Sequence, residues 1–250
     1  YRPVHIHAPA GTVVNASPPA AVVGGNVEVS QRVTDVILGA LAEVVPERAI
    51  GAGQGTMSNI TFGGTDPRSD KAYAFYETQG GGFGGRDSGD GMDGVHVHMS
   101  NTMNTPAEVL QTAYPLSVRR YEYRQDSSGA GTHRGGLGLR RDIQVHDHTA
   151  RFSLLAERRR NPPYGIKGGE PGATGDDKLI REEKIVDIPP KSILELTDGD
   201  IVSIRTPGAG GSGPPDGRDR DAIRRDVRLG KLSQEAAKER YGVNTDEKGD

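Results

Sequence analysis

Cysteine is absent from the 250-residue chain, and so is tryptophan. Without a thiol there is no disulfide, no thiolate nucleophile and no cysteine-ligated zinc or iron–sulfur centre. Aromatic residues make up 5% of the sequence and hydrophobic residues 33%, below the globular norm, which predicts a real but modest core. A surplus of positive charge is lacking too. The formal net charge is −3, so nothing electrostatic points to nucleic acid, and the basic run RRR at residues 158–160 is too short to alter that. No apolar run reaches the roughly 20 residues that span a bilayer, and no leader pattern opens the sequence. Neither membrane nor export is expected, and the cytoplasm is the expected compartment. The opening YRPVHIHAPAG has no Met and starts within a strand-like segment, so we expect a piece of a longer polypeptide.

Glycine is what the chain has in excess, with 36 residues beside 16 prolines. The apolar residues are nonetheless gathered into helix-like and strand-like runs, which argues for order rather than disorder. VHIH at residues 4–7 alternates like a strand. After Gly24-Gly25-Asn26, apolar residues recur at three and four: Val29, Val33, Val36/Ile37, Ala40/Leu41 and Val44. That period predicts one long helix with those residues on a buried face, capped by Asn26 or Ser30 and stopped by Pro46. AYAFYET and VHVHM read as strands, followed by short β-runs in SVRRYEYR, LRRDIQVH, RFSLLAE and EKIVDI. ILEL and IVSI, joined by TDGD, predict a β-hairpin, because Asp198-Gly199 tolerates positive φ. The glycine- and proline-rich TPGAGGSGPPDG reads as a loop separating this β-region from two short tail helices, the second capped by Ser233 and ended by Gly242. No fixed-period repeat occurs. The expected fold class is α+β: a mixed part over residues 1–115 with one long helix, a β-rich part over 116–206, and a loop with a helical tail over 207–250.

The densest chemistry lies in GGGFGGRDSGDGMDGVHVHMSNTMNTP, residues 80–106. Gly80, Gly82 and Gly85 satisfy G-x-G-x-x-G, but a dinucleotide site needs a helix immediately afterwards, and RDSGDGMDG has no helical period. A P-loop pattern occurs nowhere. His96 and His98 would project from one face of a strand and ligate a metal if a carboxylate joined them, with Asp87, Asp90 and Asp93 nearby. The plainer reading is a polar strand face of hydrogen-bonded histidines, since His5/His7 and His146/His148 share the spacing. An EF-hand fails at Gly89, where an oxygen ligand is required. Ser88, Ser100, Thr102 and Thr105 lie near His and Asp, but no G-x-S-x-G elbow is present. A glycine-rich, carboxylate-rich loop between strands suits a ligand-facing edge, with free backbone amides able to meet an oxyanion.

Several long strings are more specific: PPAAVVGGNVEVSQRVTDVILGAL, GAGQGTMSNITFGG, YETQGGGFGGRDSGDGMDGVHVHMSNTMNTPAEVLQTAYPLSV, SSGAGTHRGGLGLRRD, LLAERRRNPPYGIKGGEPG and TPGAGGSGPP. Over about residues 2 to 243 the chain resembles the C-terminal half of the hydantoinase B family. That family includes B-type subunits of ATP-dependent N-methylhydantoinases, part of the 5-oxoprolinases, and a subunit of acetone and acetophenone carboxylases. The resemblance implies a cytoplasmic hydrolase complex acting on a cyclic amide, with a ketone carboxylase as the alternative within the family. A non-catalytic scaffold fragment is the alternative of another class. It implies two partners: a hydantoinase A-type subunit that handles Mg-ATP, and the N-terminal half of the B-type subunit. A divalent metal (Mn, Zn or Mg) is implied in the complex, its ligands being His and Asp residues of that other half. No metal ligand is assigned within this chain. The residues matching the family's densest motifs are Gly80, Gly81, Gly82, Asp90, Asp93, His96, His98 and Asn101, together with Gln54, Thr56 and Asn59. The implied roles are proton transfer for His96 or His98, orientation for Asp90 or Asp93, and oxyanion contact for the glycine backbone. Gln54, Thr56, Asn59 and Asn101 would line the substrate. Arg158 would meet a phosphorylated intermediate through a forked contact, or else pair with a carboxylate.

Overall fold

The computed structural model describes residues 4–244. Two antiparallel sheets share one apolar core. The first has four strands in the order β2 (Lys71–Glu77), β1 (Asn59–Asp66), β5 (Ala150–Leu155), β8 (Lys191–Leu196). The second has five: β3 (Leu116–Tyr123), β4 (Leu139–Val145), β9 (Ile201–Arg205), β6 (Lys178–Arg181), β7 (Lys184–Asp187). Period-two alternation supplies the core. Ile60 and Phe62 of β1, with Phe152 and Leu154 of β5, meet Ile143 and Val145 of β4 and Val202 and Ile204 of β9. Phe62 stands opposite both Phe75 and Phe152 in register, its ring centroid 4.9 Å from that of Phe152. This core runs across the division expected at residue 115.

The α+β class holds, with four corrections of detail. First, β1 is a strand that the glycines in NITFGGTD concealed. Second, the turn at residues 197–200 forms as expected, with Gly199 at φ +85°, but no hairpin results. β8 pairs with β5 in the first sheet, and β9 pairs with β4 and β6 in the second. The turn is a corner between sheets. Third, VHIH forms no strand, and VHVHM contributes only a Val95–Gly81 bridge before His98 turns at φ +51°.

The fourth correction concerns the long helix. α1 (Val23–Ala42) exists, starting on Val22 without a side-chain cap. Its buried residues are Glu28, Gln31 and Asp35, whereas Val33, Val36, Ile37, Leu41 and Val44 are exposed. The polar stripe faces the body of this chain and the apolar stripe faces away.

The stretch read as a separating loop runs through the interior. Residues 206–212 are buried throughout. Buried amides and carbonyls require partners, and this segment finds them on many strands of chain at once. Amides of Gly208, Ala209, Gly210, Gly211, Ser212 and Gly213 reach carbonyls of Ala173, Gly136, Ala52, Glu170, His133 and Ile166. In return, Gly82, Gly85, Gly129 and Ile166 donate to Pro207, Gly210, Ala209 and Gly211. Such lacing demands backbone-to-backbone approach, and a Cβ on Gly210 would run into the carbonyl oxygen of Tyr164. Beyond it, α3 (Arg220–Arg228) and α4 (Gln234–Tyr241) form a small cluster around Ile223, Leu232 and Ala237. Ser233 caps α4 through the Ala236 amide, and Gly242 ends it at φ +65°, both as expected.

Two substitutions separate packing from chain entropy. Gly210→Ala should destabilise the protein by about 3 kcal/mol or more, because rigid backbone cannot yield to the new methyl. Gly25→Ala, in α1 with open space around it, should stabilise it by about 0.5–1 kcal/mol. Urea unfolding of both variants checks the contrast.

Candidate functional site

α1 lies across the body with glycine at its points of closest approach. A Cβ on Gly24 would meet Leu155, and one on Gly39 would meet the Tyr164 hydroxyl. Between them the polar stripe faces GAGQGTMSN at residues 51–59. The Glu28 carboxylate accepts from Thr56 Oγ1 at 2.6 Å, the Met57 amide at 3.0 Å and Asn59 Nδ2 at 2.7 Å. Asn59 in turn accepts from the Tyr76 hydroxyl at 2.5 Å. Burial pushes the Glu28 carboxyl up to about 6, against the opposing pull of the Thr56 and Met57 hydrogen bonds.

Two turns further on, Asp35 Oδ1 accepts from His98 Nε2 at 2.7 Å, and Oδ2 from Arg158 Nη2 at 2.5 Å and Arg32 Nη1 at 3.2 Å. Burial disfavours the charged Asp35, but the His98 hydrogen bond and the Arg158 guanidinium outweigh it and hold the carboxyl below its usual range. An ionised carboxylate only accepts, so His98 Nε2 carries the proton and Nδ1 is left with no protein partner among the described residues. The His98 side chain is 5% exposed. Tyr164 fixes the helix by donating to the Asp35 carbonyl at 2.6 Å. Gly55, at φ +59°, passes so close that a Cβ would strike Asp35, Arg32 and Arg158.

The expected residues divide. Gln54, Thr56, Asn59, His98 and Arg158 belong to this polar layer. Gln54 donates to the Gln79 carbonyl at 3.0 Å, while its Oε1 is buried without a partner. Arg158 meets a carboxylate, the buried Asp35, and also donates to the Pro162 carbonyl at 2.9 Å. Asn59 also lines a cleft of about 720 Å³ with Thr61, Tyr76, Lys191 and the start of α1. His96 is not a companion of His98. Both its ring nitrogens are buried and unpartnered, and burial lowers its pKa against the pull of Glu77. Asn101 is exposed.

Of the expected oxyanion glycines, Gly81 and Gly82 donate their amides to the Val95 and Pro207 carbonyls, as Gly85 does to Gly210, whereas the Gly80 amide makes no such bond among the described residues. No helix follows Gly85 until α2 (Ala107–Ala113). Asp90 and Asp93 belong to a separate ion network. Asp90 takes both Arg218 Nη atoms at 2.7 and 2.8 Å, and Asp93 takes Arg134 at 2.7 Å and Lys231 at 2.8 Å. Asp226 of α3 joins Arg134 and Arg218. Among the described residues no group of three or more His, Asp or Glu side chains is placed to hold a metal ion.

Glu28 and Asp35 escaped the sequence reading. Their seven-residue spacing puts them on one face of the helix, opposite the apolar face expected to be buried.

A family model described as hydantoinase B/oxoprolinase matches residues 1–215. An uncharacterized protein of Methanocaldococcus jannaschii is 44% identical over 250 residues, covering 100% of this chain and 43% of that protein. The 5-oxoprolinase 1 of Arabidopsis thaliana is 41% identical over 212 residues, covering 84% of this chain and 16% of that protein. The crystal structure of an ATP-dependent caprolactamase from Pseudomonas jessenii superposes with a TM-score of 0.86 at 29% identity. It covers 98% of this chain and 44% of that one. The chain therefore spans less than half the length of these relatives.

The raised Glu28 pKa has a signed consequence. The folded state holds this proton more tightly than the unfolded state, so its contribution is full below about 4.5 and is lost as pH rises to about 6. The loss is about 2 kcal/mol. Glu28→Gln should flatten that slope, read from urea midpoints between pH 4.5 and 7, while the depressed aspartates act only in more acid solution.

Proposed function

The chain belongs to the hydantoinase B/oxoprolinase family, and from that premise we propose that it is part of the B-type subunit of an ATP-dependent cyclic-amide hydrolase. The observation that carries the reading is the His98–Asp35 pair, locked in a buried layer built from GAGQGTMSN and VHVHM. The likeness to 5-oxoprolinase 1 and to the caprolactamase fold supports the substrate class. An A-type partner subunit supplies Mg-ATP chemistry. The divalent metal of the complex belongs to the remainder of the B-type subunit, since the described residues offer no ligand trio.

Opening a cyclic amide forms a bond from a water oxygen to the carbonyl carbon and breaks the carbon–nitrogen bond. The water loses a proton and the departing nitrogen gains one. His98, with Nε2–H committed to Asp35, offers Nδ1 to take that proton and pass it on. Asp35 fixes the tautomer and steadies the imidazolium, as an orienting carboxylate does in an acid–base pair. Arg158 keeps Asp35 ionised. Gln54, Asn59 and Asn101 are proposed as substrate contacts, and Asp90 and Asp93 as braces that hold the loop before His98.

In the complex reconstituted with the A-type subunit, ATP-dependent opening of 5-oxoproline or hydantoin should be measurable. His98→Ala should lower kcat about 10²–10⁴-fold with little change in KM. Asp35→Asn should lower kcat and alter its pH profile. Full activity of His98→Ala would remove its role, and turnover only of a ketone with bicarbonate would move the protein to the carboxylase branch.

A further inference from the structure

α1 has the reverse of the usual amphipathic arrangement. At 3.6 residues per turn, Glu28, Gln31 and Asp35 sit about half a turn from Val33, Val36, Ile37, Ala40 and Leu41, with Val44 just past the helix end. The first set is buried, and the second is exposed, Val36 at 63% and Val44 at 75%. No charged residue interrupts the outward stripe. A continuous apolar stripe along a 20-residue helix is more than the scatter of single apolar residues found on ordinary surfaces.

The inward face explains itself, because Glu28 and Asp35 are needed to hold Thr56, Asn59, His98 and Arg158. Nothing in the described residues covers the outward face. The relatives indicate what does: 43% of one protein and 44% of the caprolactamase chain are matched, so more than half of each lies beyond the match. Polypeptide carried beside this region in the same subunit meets the helix at high effective concentration, which favours it over a second copy arriving by diffusion.

We propose that the outward face of α1 is the seam on which the remainder of the B-type subunit packs. The helix then serves two neighbours, presenting carboxylates to the His98 layer and valines to the rest of the subunit. Closure of the seam holds Asp35 against His98 from behind. The identity of the occupant rests on the B-type reading; the existence of a covered face does not require catalysis.

The chain lacks cysteine, so one introduced thiol reports one position. Val36→Cys and Ile185→Cys replace residues that are both 63% exposed, with Leu229→Cys as a second reference. In the assembled complex, maleimide labelling of the tryptic peptides should be at least tenfold slower at residue 36 than at either reference. Equal rates at all three would overturn the seam. A photo-crosslinker at residue 37 should couple to the remainder of the B-type subunit, and coupling to a second copy of this chain or to the A-type subunit would overturn the assignment. Neither readout uses turnover. A protected residue 36 in a complex that opens no cyclic amide keeps the seam and removes the functional reading, whereas an active complex with residue 36 freely labelled does the reverse.

Discussion

Backbone-to-backbone contact around residues 206–213 is the constraint on which the rest of the structure depends. Each buried amide and carbonyl there must be paired, and the pairing partners come from residues 52, 82–85, 129–139 and 166–173. The Ala52 carbonyl accepts from Gly210 and its amide donates to Tyr164, while Gln54 donates to Gly82 and Gly51 to Gly85. The loop that carries Gln54, Thr56 and Asn59 is therefore fixed by main chain on both sides. Tyr164 extends the same chain of contacts to α1 through the Asp35 carbonyl. Position at His98 is thus set by hydrogen bonds that no side-chain substitution directly removes, but that a methyl group at Gly210 or Gly84 would block. Glycine abundance here buys close approach more than unusual φ, since Gly84 and Gly210 lack positive φ.

Much of this was legible, and the failures share a cause. The helix was visible from its period, the second tail helix from Ser233 and Gly242, and the turn at Asp198-Gly199 from its residue types. Each of these is a local preference. The errors came where a local pattern was assigned a tertiary destination. The valines of α1 were sent inward because apolar faces normally seek their own chain's core, yet Glu28 and Asp35 take that side because Thr56, Asn59 and Arg158 need acceptors there. ILEL and IVSI look like a hairpin by spacing, but β8 and β9 find their partners in different sheets. TPGAGGSGPP has the composition of a linker, and composition does not distinguish flexible glycine from glycine chosen for contact. His98 was among the candidates, but Asp35, 63 residues away, could be joined to it only by the fold.

Two of the ion networks in the interior differ in an informative way. Arg134, Arg218 and Lys231 balance Asp90, Asp93 and Asp226, and the network ties the tail helices to the glycine-rich loop. Removing one member of such a buried set leaves an uncompensated charge, which suits a structural clasp. The Asp35 set instead places one carboxylate against two guanidiniums, Arg158 and Arg32, and ends on an imidazole whose Nδ1 has no partner among the described residues.

The unmet hydrogen-bonding capacity of the chain follows the same division. Apart from five arginine Nε atoms, the buried unpartnered side-chain atoms among the described residues belong to Gln31, Gln54, Ser58 and His96. All four lie on α1, on the loop at residues 51–59 or in the VHVHM stretch, and none is in the sheet core. A buried polar atom without a partner costs about 1–3 kcal/mol, so their concentration in one layer marks where this sequence departs from what stability alone would select. The two sides of α1 are then parts of one argument. Among the described residues, its inner side carries polar groups left unsatisfied and its outer side carries apolar groups left uncovered, so neither face of α1 is explained by the stability of this region alone.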